Sequence, residues 1–170
     1  MKAADFIRRL QEKGSSGLSR PVLFLGEEEY WIATGINWIK KVLFPEAEEE
    51  FNLVSIEIKE TEAAPLSTEI AAAPFFGKTR LLILRGLEEM KAAQEEVILT
   101  ILPRLAPGVF LILTARRLDQ RKKAVREIKA MVETVDCAPL KLYEAKRWVS
   151  QEAKGRGLKL TPAQIDLLSK

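Results

Sequence analysis

The sequence predicts an α/β protein: a doubly wound, mostly parallel, three-layer sheet, followed by the start of a small helical unit. Three observations carry that prediction. The runs Leu81 to Leu84 and Val109 to Leu113 are apolar without alternation, the pattern of parallel strands covered by helices on both faces. Segments of helical period separate the strand-like runs, as parallel strands require. From Ala138-Pro139 onward, only helical patterning remains.

Met1 to Leu10 reads as a short amphipathic helix, and Gly14-Ser15-Ser16-Gly17 as a flexible break. Val22 to Leu25 is an apolar strand ending at Gly26. Glu27, Glu28 and Glu29 then open a helix, whose positive N-terminal end favours acids, with Ile32, Ile36, Ile39 and Leu43 on one face and Pro45 as its stop. Leu53 to Ile58 alternates, as expected of a strand near a sheet edge. Ser67 is the expected cap of a short helix, Thr68 to Ala73. Leu81 to Leu84 follows as the strand expected in the middle of the sheet. Lys91 to Leu102 is a crossover helix carrying Val97, Ile98, Ile101 and Leu102, and Val109 to Thr114 is the next strand. A basic helix from about Asp119 to Met131 leads to a last strand near Thr134 to Cys137. The α/β domain is thus expected to cover residues 1–139, and residues 140–170 to begin a helical domain. There, Tyr143 to Lys154 is one helix, and Thr161-Pro162-Ala163-Gln164 combines a Thr cap, Pro at the first helical position and a capping-box Gln. A helix so well specified and so soon cut off suggests a piece of a longer protein.

Composition narrows the function. The 170 residues are 47% hydrophobic and 30% charged, and no apolar stretch nears the roughly 20 residues needed to span a bilayer. The N-terminus lacks the apolar core of a signal peptide, so a cytoplasmic location is expected. The single cysteine, Cys137, allows no internal disulfide and reads as a buried thiol. The absence of histidine removes the commonest general base and every Ser-His or Cys-His arrangement. Between positions 116 and 129 stand seven basic residues, Arg116, Arg117, Arg121, Lys122, Lys123, Arg126 and Lys129, against two acids. This local +5 leaves −2 of the chain's +3 for the rest. On a helix it forms either a solvated face, or a contact for DNA phosphates or an acidic neighbouring subunit.

In doubly wound folds, ligands bind at the carboxyl ends of strands. A phosphate-binding loop would need G-x-x-x-x-G-K-[ST] after the first strand. The chain instead has Gly26-Glu27-Glu28-Glu29-Tyr30-Trp31, whose carboxylates repel a triphosphate. Where a Mg²⁺-holding Asp would end the Leu81 to Leu84 strand stands Arg85-Gly86, which also argues against a phosphoacceptor. No cofactor or metal is expected. What remains is the corner Pro74-Phe75-Phe76-Gly77: Pro74 cannot continue a helix and Gly77 tolerates a left-handed turn. Adjacent rings on such a corner diverge. Either both cap the end of the sheet, or at least one faces solvent or a partner.

Four segments taken in order, Pro21 to Tyr30, Ala73 to Leu84, Val109 to Arg117 and Tyr143 to Leu168, resemble the bacterial DNA polymerase III delta subunit. The resemblance covers the whole chain and roughly the N-terminal half of that family. It implies an AAA+-like domain without ATPase activity, a helical lid domain, and a collar domain missing from this chain. It also implies the role of a clamp-loader subunit within the DNA-directed DNA polymerase (nucleotidyltransferase) holoenzyme. The implied partners are the β sliding clamp, the gamma/tau and delta prime subunits, and primed DNA. In that family an exposed apolar-aromatic pair enters a pocket of the clamp and holds one interface of its ring open. The matching positions are Phe75 and Phe76, flanked by Pro74 and Gly77; a familiar form of the pair is Leu-Phe, from which Phe75 departs.

Overall fold

The computed structural model describes residues 1–45, 52–75 and 78–169. The chain forms two compact units, Met1–Cys137 and Ala138–Lys170.

In the first unit, five strands, β1 (Val22–Leu25), β2 (Leu53–Glu57), β3 (Arg80–Arg85), β4 (Val109–Ala115) and β5 (Glu133–Asp136), form one sheet in the order β2-β3-β4-β1-β5. Every pairing is parallel. β2 is an edge strand, as its alternation predicts. The central position belongs to β4; β3 lies one place out, between β2 and β4. An apolar run reports two covered faces and two neighbours, which both strands have, so it cannot rank them.

Helices cover both faces. α1 (Ala3–Lys13) and α2 (Glu29–Leu43) cover one, where Phe6 and Phe24 meet edge to face with ring centroids 5.6 Å apart. The buried stripe of α2 is Trp31, Gly35, Ile36 and Ile39, while Leu43 is only half-buried. Gly35 is there because a Cβ at that position would lie 2.5 Å from the Phe24 ring. α3 (Ala63–Ala71), α4 (Ala92–Ile101) and α5 (Lys123–Met131) cover the other face over Leu23, Leu82, Leu84, Leu111 and Leu113. β5 is an edge, but the chain's first residues lie along it. Asp136 donates its N–H to the Met1 carbonyl at 2.8 Å, and Arg9 grips Glu133 through two bonds of 2.8 and 2.7 Å.

Three local expectations are corrected. α3 begins at Ala63, and Ser67 lies inside it. Pro65 is the missed signal, since proline fits a helix's first turn, where its absent N–H has no helical acceptor. α5 begins at Lys123, not Asp119, because Asp119 Oδ1 takes the Arg121 N–H at 3.0 Å and closes a turn ahead of the helix. Gly14–Gly17 is a 3₁₀ turn fastened by the Ser16 hydroxyl to the Lys13 carbonyl at 2.7 Å.

The second unit holds α6 (Leu142–Gly155) and α7 (Pro162–Leu168). Thr161 caps α7 in a full capping box with Gln164, as its sequence predicts. Among the described residues, no helix is long and apolar enough to cross a membrane.

Candidate functional site

Parallel strands put their starts along one edge of the sheet and their ends along the other, so this unit has two separate candidate regions. The corner before β3 lies on the starting edge. There α3 ends in an extended Ala72 (φ −69°, ψ 131°), and the chain runs through Pro74 to Phe75. Phe75 is 80% exposed. Phe76 and Gly77, also expected at this site, lie outside the described residues.

Two residues at the starts of strands bond the corner, and a glycine at the start of a third lies close against it. Arg80, the first residue of β3, is only 6% exposed. One guanidinium nitrogen donates to the carbonyls of Glu69 (2.6 Å) and Ala72 (2.8 Å), and the other to the Glu69 carboxylate (2.7 Å). These carbonyls are among the last of α3, which have no helical donor of their own. Asn52, just ahead of β2 and buried, accepts the Phe75 N–H through its side-chain oxygen at 3.1 Å. Gly108, just ahead of β4, sits at φ +80°; a Cβ there would lie 2.1 Å from the Lys78 carbonyl oxygen and 3.3 Å from Pro74 Cγ. The absent side chain lets the corner lean on that loop. Sequence reasoning missed Arg80 and Asn52 as members of the site. A cation opening an otherwise apolar strand is the one sign that could have found Arg80.

The ending edge carries a cleft of about 920 Å³. Five acids (Glu27, Glu29, Glu57, Glu88, Glu89) line it against five bases (Lys40, Lys59, Arg85, Arg116, Arg117), so it has no net sign. Where β1 enters α2, the Gly26 N–H donates to the Ala115 carbonyl and the Glu28 N–H to the Cys137 carbonyl, both at 3.0 Å. In a phosphate cradle such amides would point at the ligand. Among the described residues, no three Cys, Asp or Glu side chains are grouped to hold a metal ion.

The basic run does not form one helical face. Arg116 and Arg117 follow β4 directly, Arg121 and Lys122 precede α5, and only Lys123, Arg126 and Lys129 belong to the helix. Much of its charge is met locally. Arg116 pairs with Glu29 at 3.5 Å, Lys122 with Glu95 at 2.9 Å and Lys123 with Glu127 at 3.6 Å. Arg121 holds both oxygens of Asp119, at 3.0 and 2.9 Å, and with its backbone N–H lowers that carboxyl to about 2. Arg117 and Arg126 are exposed.

The family model for DNA polymerase III, delta subunit, matches residues 23–138. The chain belongs to the DNA polymerase III delta subunit family. That match runs from the second residue of β1 through β5 and includes the corner together with Asn52, Arg80 and Gly108. No curated protein matches the chain by sequence. Among solved structures, this delta-family chain superposes on the Bacillus subtilis DNA clamp loader delta protein with a TM-score of 0.76 at 19% identity, over 91% of this chain and 48% of that one. It is also similar to the Thermotoga maritima RuvB Holliday junction branch migration motor, with a TM-score of 0.56 at 11% identity, over 98% of this chain and 54% of that one. A DNA polymerase III gamma subunit-related protein from Thermotoga maritima matches with a TM-score of 0.54 at 15% identity, over 91% and 53%. At these identities the likeness is one of fold, an AAA+-like α/β architecture. The chain spans about half the length of the structures it matches.

Proposed function

We propose that this delta-family chain serves in a clamp loader, binding the β sliding clamp through Pro74, Phe75, Phe76 and Gly77 and opening its ring for loading on primed DNA. The observation that carries the reading is a phenylalanine, Phe75, that is 80% exposed on a corner bonded by Asn52 and Arg80. Large aromatics are usually buried, and aromatic residues, Phe among them, are enriched at protein interfaces relative to the rest of the surface. Burying each ring in a clamp pocket contributes about 2–3 kcal/mol. Opening the ring is then a shift of population, limited by how much better the corner binds the open clamp than the closed one. The gamma/tau and delta prime subunits would complete the loader, with residues 140–170 beginning the lid domain. ATP hydrolysis falls to other subunits in this reading, because the β1–α2 turn sets Glu27 and Glu29 where phosphates would need donors. A titration calorimetry run with Mg-ATP is expected to give no binding heat.

The deciding experiment is pull-down of purified β clamp by this chain and by its Phe75→Ala/Phe76→Ala variant. The parent retains the clamp and the variant loses it, while both unfold at the same temperature. Equal clamp retention by the two proteins overturns the proposal.

A further inference from the structure

We infer that Arg80 and Asn52 are positioning residues for this corner: they hold Phe75 in its exposed pose before any partner arrives. The inference rests on the clamp-binding reading for its biological meaning, but the geometry belongs to the free chain. Arg80 is a buried cation at the head of a strand whose next four residues are all apolar and buried. An ion so placed costs stability unless its donors are met, and an apolar side chain would fill the space at less cost. The three side-chain bonds of Arg80 all run to Glu69 and Ala72, at the end of α3. A helix commonly ends in a left-handed glycine whose backbone meets the last carbonyls. α3 instead leaves through an extended Ala72, and the guanidinium supplies those donors.

The second tie lies three residues on. The buried Asn52 side-chain oxygen takes the Phe75 N–H, fixing the backbone that carries the exposed ring. With Ala72 held from β3 and Phe75 held from the head of β2, Ala73 and Pro74 are clamped at both ends. Proline removes one more backbone freedom between the ties. A ring presented this way has less conformational freedom to lose on binding. Each backbone residue left loose until a partner orders it weakens the complex by roughly five- to thirtyfold.

The test compares Asn52→Ala and Arg80→Met with the parent, with Phe75→Ala, and with Ile128→Val as a control that lowers stability from α5. Three quantities are read: Kd for purified β clamp, hydrogen exchange at the Phe75 amide in the free protein, and Tm. Asn52→Ala is expected to speed Phe75 exchange and raise the clamp Kd, each about tenfold, as loss of one hydrogen bond predicts. Ile128→Val should lower Tm without moving either quantity, which separates positioning from general stability. Arg80→Met should act in the same direction as Asn52→Ala; should it fail to fold, Asn52→Ala alone decides. A clamp Kd within twofold of the parent in Asn52→Ala, alongside a loss in Phe75→Ala, overturns the inference and leaves the clamp reading intact. If the parent does not bind the clamp at all, the functional reading falls and the exchange data decide the positioning role. Unchanged Phe75 exchange in Asn52→Ala then overturns it, and about tenfold faster exchange upholds it.

Discussion

Gly108→Ala and Gly86→Ala form a pair that isolates how tightly the corner is seated. Both glycines lie in the left-handed region, at φ +80° and +76°. Alanine pays a similar backbone cost at each, about 1 kcal/mol. The surroundings differ: a Cβ at Gly86 meets nothing within 4 Å, whereas at Gly108 it would stand 2.1 Å from the Lys78 carbonyl oxygen. That backbone oxygen must retreat by about 1 Å; Gly108 and Lys78 are both exposed, so the shift is resisted by the bonds that tie this loop to the strand heads and not by a packed core. Lys78 lies two residues before Arg80, whose N–H donates to the Gly108 carbonyl at 2.8 Å, so the retreat pulls on the head of the β3–β4 ladder. Overpacking contributes about 1–3 kcal/mol and a weakened hydrogen bond about 1 kcal/mol. The expected destabilisation is therefore about 3–5 kcal/mol for Gly108→Ala against about 1 kcal/mol for Gly86→Ala. At roughly 2–4 °C per kcal/mol, Tm should fall on the order of 10 °C in the first variant and about 3 °C in the second. Thermal unfolding followed by far-ultraviolet circular dichroism measures both. Equal losses would refute the reasoning, because they would mean that the corner moves off Gly108 freely.

Three further outcomes are expected. Gly35→Ala forces a Cβ to 2.5 Å from the fully buried Phe24 ring and should cost about 2–3 kcal/mol; Phe24→Leu should recover part of that, read as a coupling in urea unfolding of the single and double variants. Burial pushes the Cys137 thiol from its ordinary value of 9.0 to about 12, so a disulfide reagent at pH 8 should leave it unmodified until urea unfolds the chain. Because the folded state keeps a proton that the unfolded state releases, this contribution is full below pH 9 and is lost as pH rises toward 12. Asp119 should titrate near 2 by carbon-detected NMR and return toward 3.8 in Arg121→Ala; the sign follows from a lowered carboxylate value, with the turn's contribution present above 3.8 and lost as pH falls through 2.

What the sequence discloses and what it hides divide along a physical line. Strands β1, β3 and β4 are legible because a run such as Leu81 to Leu84 is apolar at every position, a property each residue carries by itself. Gly26-Glu27-Glu28-Glu29 is legible for the same reason: local charge states what the turn repels. The basic run is half legible, since counting gives +5 but not the partners Glu29, Glu95 and Asp119 that meet it. Least legible are Arg80 and Asn52, polar residues whose burial depends on acceptors or donors elsewhere in the chain. Asn52 meets Phe75 across 23 positions, and no pattern at residue 52 announces it. Turn chemistry alone brought Phe75 to a corner, and it would have done so equally for a loose loop. Had exposure been only a failure of packing, the groups bonded to this backbone would have been expected to be solvated; instead a buried guanidinium donates to the Ala72 carbonyl and a buried amide oxygen accepts the Phe75 N–H. Buried polar groups are costly unless satisfied; here Arg80 donates to Glu69 and Ala72, and the Asn52 oxygen accepts from Phe75. If Phe75 binds the clamp as proposed, changes to Arg80 and Asn52 should move binding as well as changes to the ring itself.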